Sequence, residues 1–141
     1  WRPVRRRGWV KTLVGAITVV VALASARPIA LDPERQTVQK AVEYFREHGL
    51  EREVVYTNHP WFTFLTSRDR YDYSLTPHLT RRALENAPAG SFVLWENHYG
   101  PRLWGDVPLE ELRGDPRFRR LFEATAGAEE EFRVVVFRRN P

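Results

Sequence analysis

The chain has 141 residues, enough for one domain, and its eight Phe, five Trp and five Tyr supply bulky core material. It contains no cysteine, which excludes disulfides and thiolate metal sites. The formal charge of +4 is concentrated at the head: Arg2, Arg5, Arg6, Arg7 and Lys11 carry five positive charges, leaving residues 12–141 at −1. A basic face for nucleic acid is thereby excluded from the folded part, and no nucleic-acid partner is expected.

Residues 1–8 read as a basic, cytoplasmic flank. From Thr12 to Ala26 the run TLVGAITVVVALASA carries no charge, with Trp9 as an interfacial aromatic and Lys11 able to reach back to headgroups. Trp9 to Ala26 is 18 residues, a helix of roughly 27 Å against a hydrocarbon layer of ~30 Å. Three readings of this run stand open. It is a transmembrane helix, with residues 9–31 forming the span and a short linker. It is a secretory signal, with Ala24-Ser25-Ala26 as the cleavage site. Or it is a helix buried in a soluble core. In the first two, Arg5, Arg6, Arg7 and Lys11 act as a topology signal, and everything after Arg27 lies outside the cytoplasm. Trp1 is a poor natural start and the chain has no Met, so the coding sequence is expected to continue upstream.

Asp32-Pro33 opens a helix, the carboxylate capping free amides and Pro occupying a position that needs no N–H. Val38, Ala41, Val42 and Phe45 follow at helical spacing, and Gly49 closes it, predicting a helix over 33–48. Residues 53–58 (EVVYTN) read as a buried strand, stopped by Pro60. Trp61, Phe62, Phe64 and Leu65 then form a short helix, and residues 66–75 a tyrosine-rich surface loop. Thr76-Pro77 repeats the capped start, placing a second helix over Leu79–Ala87. Residues 91–96 (SFVLWE) are a second buried strand. Val107-Pro108 and Asp115-Pro116 open two short helical turns, with Phe118 on the second. Residues 121–125 and 132–138 are expected to pair as a hairpin. Helix–strand alternation favours parallel pairing of the first two strands. The predicted fold class is therefore α/β: one N-terminal transmembrane helix, then a small sheet domain of three to four strands with flanking helices, over residues 32–141.

VVYTNHPWF and FVLWENHYG each place an Asn-His pair where a strand ends. With the strands parallel, both pairs fall on the carboxyl edge, where open α/β sheets bind ligands. Candidate ligand-binding residues are Asn58, His59, Trp61, Glu96, Asn97, His98, Tyr99 and Arg102, with Asp106 and Trp104 close by. The alternative is that the Asn and His residues only cap strand ends and turns, as Asn commonly does. His59, His98 and Glu96 lack a close-spaced ligand pair such as HxH or HExxH, so no metal and no cofactor is assigned. There is no GxSxG elbow and no phosphate loop, and Asp69 and Asp72 read as solvated loop carboxylates. No catalytic residue is assigned.

Five phrases together resemble the C-terminal end of a GT-C type membrane glycosyltransferase, the group of protein O-mannosyltransferases and aminoarabinose transferases. They are the hydrophobic run 9–26, the helix beginning Asp32-Pro33, VVYTNH with PWFTFL, APAGSFVLWENHYGP, and the closing FRVVVFRR. The resemblance implies a parent enzyme that transfers a sugar from a polyprenyl-phosphate donor outside the cytoplasm, at a bacterial inner membrane. It implies a catalytic acidic residue in an early loop absent from this chain, so that the chain is a non-catalytic fragment. Its partners would be membrane lipid, the upstream transmembrane helices of the parent, and a glycan or lipid-linked sugar. The alternative is a single-pass or secreted binding module with no enzymatic parent.

Overall fold

A computed structural model describes residues 13–21, 32–69, 71–99, 107–127 and 132–141. The chain divides into two compact units, Trp1–Ala30 and Leu31–Pro141. In the first, helix α1 covers residues 13–21, every one of them exposed. Among the described residues no helix is long and apolar enough to cross a membrane, which overturns the transmembrane helix expected over 9–26. The expectation counted uncharged residues in the sequence, whereas a span requires a helix of about 20 residues, and the described residues show helix over 13–21. Residues 9–12 and 22–31 of the expected span lie outside the described residues, as do Arg5, Arg6, Arg7 and Lys11.

The second unit is a small α/β domain built on a four-stranded mixed sheet. Its elements in order are α2 (Pro33–Glu47), β1 (Val55–Tyr56), α3 (Pro60–Leu65), α4 (Arg81–Glu85), β2 (Phe92–Glu96), α5 (Leu109–Gly114), β3 (Phe118–Ala126) and β4 (Phe132–Arg139). The sheet order is β1-β2-β4-β3, with β1 parallel to β2 and the other pairs antiparallel. Asp32 caps α2 by accepting the Glu34 N–H at 3.1 Å, and Pro33 occupies the first turn. At the other end Gly49 takes φ +66°, which lets the Leu50 N–H return to the Phe45 carbonyl at 2.8 Å.

Two local expectations fail for identifiable reasons. Thr76-Pro77 does not start a helix, because the Leu75 and Pro77 carbonyls accept the Val55 and Thr57 N–H groups and the segment runs beside β1. Thr80 is the cap instead, its hydroxyl accepting the Ala83 N–H at 3.2 Å. Asp115-Pro116 likewise makes a turn, in which the Asp115 carboxylate accepts the Arg117 N–H at 2.9 Å, and Phe118 enters β3 directly.

Alternation along β2 and β4 sorts the core into two layers. Phe92, Leu94, Val134 and Val136 face α2 and α3, packing with Val38, Ala41, Val42, Phe45 and Phe62. Val93, Trp95, Val135 and Phe137 face the other side, against Leu84, Leu109 and Leu112. With helices on both faces, β2 is buried along its whole length and carries no polar alternation. Phe45 lies at the centre of the first layer, 5.4 Å from both Phe62 and Phe92 in edge-on contacts. Phe45→Ala is expected to destabilise the domain by about 3–5 kcal/mol in urea unfolding. Phe64→Ala, at a position 67% exposed, should cost under about 1 kcal/mol.

Candidate functional site

Parallel pairing of β1 and β2, Val55 opposite Phe92 and Tyr56 opposite Val93, brings both strand ends to one edge of the sheet. Thr57-Asn58-His59 leaves β1 there, and Asn97-His98 leaves β2. The first turn of α2 arrives at the same edge and supplies Glu34, a residue the sequence reading did not single out. Its only sequence signal is an acidic side chain in the first turn of a capped helix.

Glu34 joins the two histidines. Its Oε1 lies 2.8 Å from His59 Nε2 and its Oε2 2.9 Å from His98 Nδ1. His59 is 1% exposed and caps α3, its Nδ1 accepting the Trp61 N–H at 3.2 Å. That acceptor role leaves the proton on Nε2, which donates to Glu34. Burial pushes the His59 pKa down to about 4, against the opposing attraction of Glu34. His59 is therefore a neutral ring whose two nitrogens are both used. Tyr99 and Phe132 close over it edge-on, at 5.1 and 5.6 Å.

The other expected residues take distinct places. Asn58 is spent on structure: its Nδ2 donates to the Leu79 carbonyl at 2.9 Å and its Oδ1 accepts the Leu79 N–H at 3.0 Å. Glu96, 1% exposed, accepts the N–H groups of His98 and Tyr99 and so shapes the turn that carries His98. Asn97 accepts the Arg133 N–H at 2.9 Å, tying this turn to β4. Trp61 stacks under the Arg35 guanidinium, 5.0 Å away. Arg102, Trp104 and Asp106 lie outside the described residues.

A cavity of about 370 Å³ opens at this edge, lined by Asp32, Glu34, Asn97, His98, Gly127 and Phe132 among others. The His98 side chain is 43% exposed and Glu34 15%. Among the described residues no group of three or more His, Asp or Glu is placed to hold a metal. The lining offers carboxylates, an imidazole, an amide and one aromatic ring, a set that forms directional hydrogen bonds. No protein-family model, curated protein or solved structure matches the chain.

The depressed His59 pKa gives stability a pH dependence of definite sign. Between the unfolded value of 6.5 and the folded value of about 4, the unfolded chain binds more protons than the folded one. The stabilisation is complete above pH 6.5 and is lost as pH falls toward 4, by up to about 3 kcal/mol. Urea unfolding across that window should show this loss, and His59→Gln should flatten it.

Proposed function

We propose that residues 32–141 form an accessory, ligand-holding domain of a membrane glycosyltransferase that uses a polyprenyl-phosphate sugar, working on the extracytoplasmic side, with the catalytic loop outside this chain. The observation that carries this reading is convergence. VVYTNHPWF and FVLWENHYG, two of the phrases that resemble such enzymes, end at the same cavity-bearing edge. Carboxylate, imidazole and amide groups beside an aromatic ring suit saccharide hydroxyls, which need directional partners, and the ring's apolar C–H face.

The domain's part is to hold and select, with proton transfer performed elsewhere in the parent. His98 is the group that meets the ligand. Glu34, His59 and Glu96 are positioning residues: Glu34 orients the His98 ring, His59 orients Glu34, and Glu96 sets the backbone from which His98 projects.

The in-frame coding sequence upstream is expected to encode several hydrophobic spans, with an acidic residue in the first extracytoplasmic loop. In that parent, deleting residues 32–141 should raise KM for the acceptor about tenfold or more while leaving donor cleavage nearly unchanged, the pattern of lost binding rather than lost chemistry. An upstream sequence without further spans would replace this reading with a binding module that has no enzymatic parent.

A further inference from the structure

We infer that the outer side of α3, with the loop that follows it, is a docking surface for a zwitterionic phospholipid bilayer. It stands on this surface alone and holds whether or not the chain has a transferase parent. Among the described residues of the second unit, the large apolar or aromatic side chains left exposed are Phe64 at 67%, Tyr71 at 68% and Tyr73 at 51%. Single exposed aromatics are ordinary, but these all fall in the one stretch 64–73. Helix residues advance by roughly 100° each, so Phe62 and Phe64 point to opposite sides of α3, Phe62 into the core and Phe64 outward. Trp61 flanks Phe64 edge-on at 5.5 Å, and the Arg35 guanidinium lies over Trp61 at 5.0 Å. On the other flank the chain folds back. Tyr73 lines one hollow with Pro60 and Thr63, and its ring rests on His78 at 4.9 Å. Arg68 donates to the Leu75 carbonyl and pins this loop against the domain.

The charges around the rings decide the partner. Arg35 forms no hydrogen bond or ion pair with a described residue, and its buried Nε has no acceptor, so the terminal nitrogens are left to take an anion. Asp69 and Asp72 supply the opposite sign on the loop, their Oδ1 atoms accepting the Tyr71 and Ser74 N–H groups. A surface of both signs around aromatic rings complements a headgroup layer that itself carries phosphate and ammonium. Beneath that layer hydrocarbon receives Phe64, and the boundary between the two suits Trp61 and the tyrosines, each with an apolar ring and a polar tip. A purely anionic surface would repel the two carboxylates. A protein partner would have to bring a hollow shaped to this projecting side, whereas a bilayer needs none.

The test uses the full chain, which contains no cysteine, so a single label can be placed at will. Residues 13–21 also expose apolar side chains, so vesicle binding by the whole chain does not locate the contact and the readout must be local. Phe64→Cys and Tyr73→Cys each carry a nitroxide at an exposed position, and Glu110→Cys carries one on α5, across the sheet. On vesicles of phosphatidylethanolamine and phosphatidylcholine, the Phe64 and Tyr73 labels should gain severalfold in collision with oxygen relative to an aqueous nickel chelate. The Glu110 label should stay as it is in buffer. Arg35→Gln should reduce the gain at Phe64, and so should vesicles of phosphatidylglycerol alone, compared with the chain fully vesicle-bound in both. A Phe64 label that stays as wet as the Glu110 label overturns the inference, as does a larger gain on phosphatidylglycerol. Equal gains at all three positions overturn it too, because the contact then has no preferred face. Covering of Phe64 without vesicles as protein concentration rises assigns the surface to a second copy instead. The cavity at the carboxyl edge is untouched by any of these results, and its reading stands or falls by the KM measurement.

Discussion

Parallel pairing of β1 with β2 is the constraint on which the rest of the domain depends, and β1 alone could not sustain it. A strand of two residues offers few ladder bonds, and an isolated short pair is marginal in water. The pairing is held from outside. The Phe92 N–H reaches the Val54 carbonyl at 2.8 Å on one side, and the Leu75 and Pro77 carbonyls take N–H groups from Val55 and Thr57 on the other. Arg68 fixes that outer segment: its guanidinium donates to the carbonyls of Leu75, Glu51 and Glu53 and lies 5.4 Å from the Phe62 ring. One side chain thus ties the loop before β1, the loop beyond α3 and the core together. Val55 and Phe92, both essentially unexposed, supply the apolar burial that makes the arrangement stable.

Bringing two strand ends and a helix start to one edge concentrates polar groups where the core begins, and each must be satisfied. Glu96 is 1% exposed, so it takes backbone N–H groups from the turn it precedes. His59 adopts the neutral state, with one nitrogen accepting from α3 and the other donating to α2. Glu34, less buried, accepts from both rings. Removing one partner would leave another short of a hydrogen bond inside the protein, so the edge behaves as one coupled unit.

Helix α2 was legible in the sequence from end to end, because Asp32-Pro33, the apolar spacing from Val38 to Phe45 and Gly49 are local signals that agree. The parallel β1–β2 pair was legible from element alternation. The start of α4 and the fate of Asp115-Pro116 were not. A capped Pro start is also what an extended segment or a turn looks like, and the choice was made by β1 needing carbonyls and β4 needing a partner strand. The run 9–26 shows a related limit: apolar composition says which surroundings a segment tolerates, and how long a helix it forms is a separate matter. At the site, the two Asn-His pairs were visible, but Glu34, 25 residues from His59 and 64 from His98, could be found only in three dimensions.

The two Asn-His pairs also show why a repeated motif need not repeat a role. Asn58-His59 follows a strand covered on both sides, and burial converts it to scaffold: the amide locks onto Leu79 and the imidazole caps α3. Asn97-His98 follows a strand that ends at an open cavity, and there the imidazole uses one nitrogen on Glu34 and keeps the other at the solvent side. The two asparagines both serve backbone groups, and it is the histidines that differ, His59 buried and His98 partly exposed.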